Sequence, residues 1–408
     1  MRQVFGLLAA LVLASHGTAA SAQDFSALAR LDPAQSQVRD AGEGLNVTLY
    51  LSQPVPFRVF TLDEPRRLVL DFREVDWRGA SRAALLNADN ASDLRFGALR
   101  PGWSRMVVDL AEPLTVTLAG MTVDKTDGTA RLDVTLDPAT ADAFADTSGA
   151  PPDPDWDALA EQAATLPPAP PGDDTVRVVV IDPGHGGIDP GAERGGTVEA
   201  DLMLQLSLEL AEALARAGDY RPVLTREADI FVPLNERITI ARAAGADLFL
   251  SLHADALEDE VTRGASVYTL TEEAADAASQ RMAERHERGD LLAGLDLSGQ
   301  DDTVATVLMD LARLETGPAS ERLATEIVLG FEDAGARLNS RPRRTAQLAV
   351  LGAADFPSVL VEVGFLSNAE DRALIASAEG RAVIVAGLVR AIQRWDADDR
   401  ARGPLVRQ

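Results

Sequence analysis

A chain of 408 residues with 46% hydrophobic and 25% charged side chains has the material for two or three globular domains. Its formal charge of −26 argues against a nucleic-acid partner or an anionic lipid surface, since both repel an acidic protein. The absence of cysteine rules out a disulfide framework, thiolate metal sites and cysteine nucleophiles.

Taken in chain order, residues 1–22 read as a cleavable signal peptide. Arg2 supplies the positive start, Val4 to Ala14 the apolar stretch and Ala20-Ser21-Ala22 the small-residue cleavage site. The apolar stretch is too short to span a bilayer, so the expectation is an exported, periplasmic chain with no membrane span after cleavage. Residues 30–138 are rich in short alternating runs: Leu45 to Leu51, Arg67 to Phe72, Arg105 to Leu110, Leu114 to Leu118 and Ala130 to Leu136. Such runs, broken by Gly, Pro and Asp, predict an all-β sandwich domain. Residues 139–174 are a Pro/Ala/Asp-rich linker, with a short helix expected over Trp156 to Ala164.

From residue 175 to 398, strand-like and helix-like segments alternate. Strands are expected at Val176–Asp182, Arg221–Thr225, Asp247–His253, Ala265–Leu270, Gln347–Leu351 and Ser358–Phe365. Helices are expected at Glu199–Ala217, Leu234–Ala244, Ser320–Ala334 and Arg381–Ala397. Several strands are unbroken apolar runs, as required when helices cover both faces of a sheet. The fold class is therefore an α/β domain with a mostly parallel sheet, preceded by the β-sandwich. Residues 271–319 form an insertion: Glu273 to Asp290 is charged, and Val304, Val307, Leu308, Leu311 and Leu314 make an apolar helical stripe.

Three histidines follow the signal segment: His185, His253 and His286. His185, in Asp-Pro-Gly-His-Gly-Gly, and His253, in Ser-Leu-His-Ala-Asp, lie at the ends of apolar strands, where sites assemble in open α/β sheets. Two histidines brought there by separate strands can converge on one metal. A catalytic zinc site commonly adds a carboxylate, and Glu199 is the candidate, although a glutamate in a helix's first turn is also favoured by the helix dipole alone. The glycine-rich loop lacks the Walker lysine, and Asp189 stands where a dinucleotide fingerprint needs its third glycine. Glu362 interrupts the apolar run Ser358 to Leu366. A carboxylate there is costly unless it is catalytic or held in a buried ion pair, for which Arg226, Arg343 and Arg344 are available.

These motifs together resemble the zinc-dependent N-acetylmuramoyl-L-alanine amidases of bacterial daughter-cell separation, over roughly Val176 to Trp395. The run Pro65 to Asp71 resembles the AMIN domain that often precedes them. The resemblance implies one Zn2+ held by His185, Glu199 and His253, with Glu362 catalytic and peptidoglycan as substrate. Ala200 departs from the pattern, many relatives having lysine there. The resemblance also implies that the 271–319 insertion covers the cleft until a LytM-type activator displaces it, with Glu284 or Glu287 filling the open metal position. An ordinary core-packing helix pair is the plainer reading of the same stripe. A zinc peptidase acting on stem peptides, or a peptidoglycan-binding scaffold without activity, are the alternatives to the amidase.

Overall fold

The computed structural model describes residues 28–406 apart from 74, 101, 152–175, 258, 272–278, 281–282, 284–302 and 354; for 100, 303–315 and 403–406 it describes backbone only. The signal segment, the linker helix, Glu284, His286 and Glu287 lie outside the described residues.

The N-terminal unit is two sheets packed face to face. Counting strands of five residues or more, they are β1 (Gln37–Ala41), β2 (Gly44–Leu51), β3 (Phe57–Leu62), β4 (Arg67–Arg73), β5 (Ala91–Arg100), β6 (Trp103–Leu110), β7 (Leu114–Val123) and β8 (Ala130–Pro138). One sheet runs β7-β8-β2-β1 with Leu86–Asn87 at its edge, and the other runs β3-β4-β6-β5. Period-two alternation turns Leu45, Val47 and Leu49 into the same core as Leu68, Leu70, Met106 and Val108. Strands β1, β3 and β5 were not among the expected runs. In β5 the pairing with β6 shifts between Ala91 and Asp93 and again between Ala98 and Arg100, and these irregularities erase the alternation that marks a strand.

The second unit is a three-layer α/β domain. Its strands are β9 (Arg177–Pro183), β10 (Tyr220–Leu224), β11 (Leu248–His253), β12 (Ala265–Leu270), β13 (Leu338–Ala346) and β14 (Ser358–Glu362), in the order β10-β9-β11-β14-β12-β13. All neighbours are parallel except β12 and β14. Its helices of eight residues or more are α1 (Glu199–Ala217), α2 (Leu234–Ala244), α3 (Thr303–Ala334), α4 (Ala369–Ala376) and α5 (Ala378–Val406). Val179 and Ile181 of β9 pack into a core with Leu206 and Leu210 of α1 and Leu388 and Ile392 of α5. Val178 and Val180 face the opposite layer, beside Ala241 of α2, Phe249 and Leu360. Burial on both faces accounts for the unbroken apolar runs.

Two expectations are corrected. Gln347–Leu351 is not a strand: Ala349–Leu351 is a 3-10 turn, and the strand is the preceding β13. Strand β13 is an edge with a partner on one side only, so its three arginines and its proline are tolerated where a central strand would reject them. The helix expected from Ser320 begins at Thr303 and continues through Pro318. Trp395 on α5 donates its indole N–H to Ala319 O at 3.1 Å, just past that proline, tying α3 to α5.

Candidate metal and catalytic site

Strand β11 lies between β9 and β14, all three parallel, so their carboxyl ends open on one edge of the sheet. Pro183 ends β9 and leads through Gly184 to His185, while His253 ends β11 directly beside Glu362 at the end of β14. Helix α1 starts with Glu199, which is buried although its position in the first turn would suit a solvated helix cap.

The described structure brings His185, Glu199 and His253 together, with one ligand atom from each within 4.8 Å of the others. Glu199 Oε1 is 3.3 Å from His185 Nε2 and 3.2 Å from His253 Nδ1. Donors held by one tetrahedral ion at about 2.0–2.2 Å sit roughly 3.3–3.6 Å apart, so two imidazoles and a carboxylate at these spacings fit a divalent metal. The carboxylate is aimed by backbone: Oε1 accepts from Ala254 N at 2.8 Å and Oε2 from Ala192 N at 2.9 Å. The fit leaves no room for side chains on the loop. A Cβ on Gly191 would stand 2.6 Å from the His185 ring and 2.8 Å from Glu199 Oε2, and one on Gly184 would collide with the His253 ring.

Protonation follows from the crowding. Burial alone would push the Glu199 carboxyl up, yet the His185 and His253 imidazoles hold it well below the usual carboxylate range. Burial would likewise lower His185, but Asp189 and Glu199 raise it well above an ordinary histidine. Asp189 Oδ2 lies 2.7 Å from His185 Nδ1, which fixes the ring so that Nε2 faces Glu199. Glu362 behaves oppositely. It is fully buried, and burial, reinforced by the Glu199 charge against the opposing pull of His253, raises its carboxyl to about 7. Asp255 N donates to its Oε2 at 2.9 Å.

Three further residues hold the loop; of these only Arg226 was singled out in the sequence, as a candidate partner for Glu362. Asp182 is fully buried and accepts from Thr225 Oγ1, Arg237 Nη1 and Ser251 Oγ at 2.6, 2.8 and 2.7 Å. Arg237 also donates to Pro183 O, His185 O and Val232 O. Arg226 donates to Pro183 O, Gly184 O and Ala200 O, so its guanidinium is spent on the loop backbone. Arg343, another candidate partner for Glu362, meets Glu321 instead. The only signal that could have found Asp189 was its position four residues past His185; the two arginines sit in ordinary polar contexts.

A family profile described as N-acetylmuramoyl-L-alanine amidase matches residues 179–394, and one described as AMIN domain matches 36–136. The chain is 31% identical over 418 residues to an N-acetylmuramoyl-L-alanine amidase of Neisseria meningitidis, covering 97% of this chain and 96% of the relative. Another N-acetylmuramoyl-L-alanine amidase, from Escherichia coli, is 37% identical over 219 residues, 53% of this chain and 75% of its own. Among solved structures, an N-acetylmuramoyl-L-alanine amidase of Nostoc punctiforme is 26% identical, with a TM-score of 0.40, covering 55% of this chain and 99% of that one.

Proposed function

Because the chain belongs to the N-acetylmuramoyl-L-alanine amidase family, we propose that His185, Glu199 and His253 hold one Zn2+ and that Glu362 is the catalytic base. The enzyme is a hydrolase of the amide between N-acetylmuramic acid and L-alanine in peptidoglycan. The residue assignment rests above all on Glu362, a buried carboxyl raised to about 7 at the end of β14, beside a metal-compatible group.

Bound zinc lowers the pKa of a water and polarises an amide carbonyl. Glu362 then has one task on each side of the reaction. As carboxylate it takes the proton of the attacking water, and as carboxylic acid it returns that proton to the departing L-alanine nitrogen. The Asp255 N–H fixes the orientation of the carboxyl for both tasks. Asp189 keeps His185 in the orientation that presents Nε2, and Arg237 holds the same residue by its carbonyl.

Residues 1–22 export the chain to the periplasm, where its substrate lies, and the N-terminal domain targets it to peptidoglycan. Among the described residues no helix is long and apolar enough to cross a membrane. The 271–319 insertion is a brake released by a LytM-type activator, with Glu284 or Glu287 as the blocking residue. This reading is supported by the resemblance to division amidases.

Digestion of purified peptidoglycan, with zinc and with a chelator, tests the reading by mass spectrometry. Stem peptides beginning at L-alanine, lost with chelator, are the expected products. Cuts inside the stem peptide would replace the amidase by a peptidase.

A further inference from the structure

His185 has φ of 60°, and Gly186 and Gly187 follow at 127° and 61°. A non-glycine residue in the left-handed region costs on the order of 1–3 kcal/mol, so this run persists only because its surroundings hold it. Within the catalytic unit, buried Arg237 binds His185 O, and at the surface Asp229 Oδ1 accepts from Gly187 N at 2.7 Å. The outer side is covered by the other domain.

Edge strand β5 of the N-terminal unit lies directly on this loop. A Cβ on Gly97 would stand 2.6 Å from Gly187 C and O and 2.8 Å from Ile188 N; these are the nearest atoms to it, and all belong to the catalytic unit. A Cβ on Gly187 would in turn overlap Ala98 O. Phe231 N donates to Ala98 O at 3.3 Å. Leu99, Ile188 and Phe231 are buried together as a small cluster separate from the cores of both units. Glycine faces glycine, with an interdomain backbone hydrogen bond and an apolar plug alongside.

We propose that Gly97-Ala98-Leu99 is a positioning segment for the metal site: the N-terminal domain, docked through it, holds the His185-Gly186-Gly187 loop in its strained conformation. The strain explains why an outside hold matters, and the paired glycines explain why the hold can be so close. The wall-binding domain thereby becomes part of the catalytic apparatus. Detaching it slackens a ligand-bearing loop more than 80 residues away in sequence. The proposal builds on the metal reading of His185, but the loop's restraint can be measured without metal or substrate.

Gly97→Val in the full chain is the probe. Valine is favoured in a strand, and Gly97 pairs with Arg105 in the β5–β6 ladder, so the substitution spares the sandwich and opens the seam. Hydrogen exchange of the metal-free protein is expected to speed up across 184–189 and 229–232 while β6 stays protected. Zinc affinity, titrated against a chromogenic chelator, is expected to weaken about tenfold, in the range seen when groups supporting a metal ligand are lost. With saturating zinc, kcat is expected to fall more than KM changes. Leu99→Ser, at the position that shares the seam cluster with Ile188 and Phe231, repeats the test should Gly97→Val disturb β6. Unchanged exchange at 184–189 with unchanged zinc affinity in a folded variant overturns the proposal. Faster exchange in a chain whose parent hydrolyses nothing would leave the seam standing and remove the amidase reading instead.

Discussion

Glu362 carries its chemistry and its cost in the same carboxyl. Its ordinary value is 4.5, and burial raises it to about 7 in the folded chain. Between those pH values the folded state keeps a proton that the unfolded state has released. Stability therefore falls as pH rises through this window, and above pH 7 the full cost stands, on the order of 3 kcal/mol for the metal-free protein. Glu362→Gln keeps the shape and the acceptor for Asp255 N but cannot ionise. The metal-free variant is expected to melt higher than its parent at pH 8 and level with it at pH 4, by calorimetry. The zinc-loaded variant is expected to lose about 10²-fold or more in kcat while retaining zinc. A parent and variant with superimposable melting curves at pH 8 would mean that Glu362 is not held as a buried, unwilling anion.

At the scale of elements, helix α2 acts as a bracket for the strand end that bears His185. Arg237 leaves α2 at 3% exposure and meets Asp182, whose carboxyl burial would raise but which Arg237, Thr225 and Ser251 hold below its ordinary value. Removing one partner of a buried pair leaves the other uncompensated, at about 3–5 kcal/mol. Arg237→Ala is accordingly expected to lower the urea midpoint of the α/β domain while leaving that of the β-sandwich in place. Arg237→Lys should recover only part, because an ammonium cannot reach Asp182, Pro183 O, Val232 O and His185 O as a planar fork does. If both variants unfolded with the parent's midpoint, the bracket would have no energetic meaning.

Across the whole molecule, the proposals give two segments outside the ligand set a role at the site: the β-sandwich through β5, and the insertion within 271–319. In the described part of that insertion Ala283 is buried in the core beside Tyr268 and Leu360, and α3 runs unbroken from Thr303 to Ala334. Deleting about Ala278 to Leu314 is expected to raise basal hydrolysis of purified peptidoglycan several-fold, read as released stem peptides per enzyme. A folded deletion variant as slow as its parent would reduce the insertion to packing.

The sequence by itself was enough to divide the chain into an alternating β-rich part and an α/β part, because periodicity is a local consequence of which face is buried. It was also enough to nominate His185, His253 and Glu362, since costly polar residues stand out at the ends of apolar strands; Glu199 opens a helix, where a glutamate is ordinary, and was nominated as the carboxylate that completes a zinc site. Strand β13 escaped because an edge strand need not be apolar, and β5 because its irregular pairing breaks the period. Which groups surround those four residues was decided only by tertiary structure. Asp189 and Arg237 look like any surface polar residues along the chain, and become braces of the site only once β9, α1 and α2 converge. The Gly97–Gly187 approach joins residues 90 positions apart in two domains, and no local pattern encodes a contact whose partners meet only after both domains have folded.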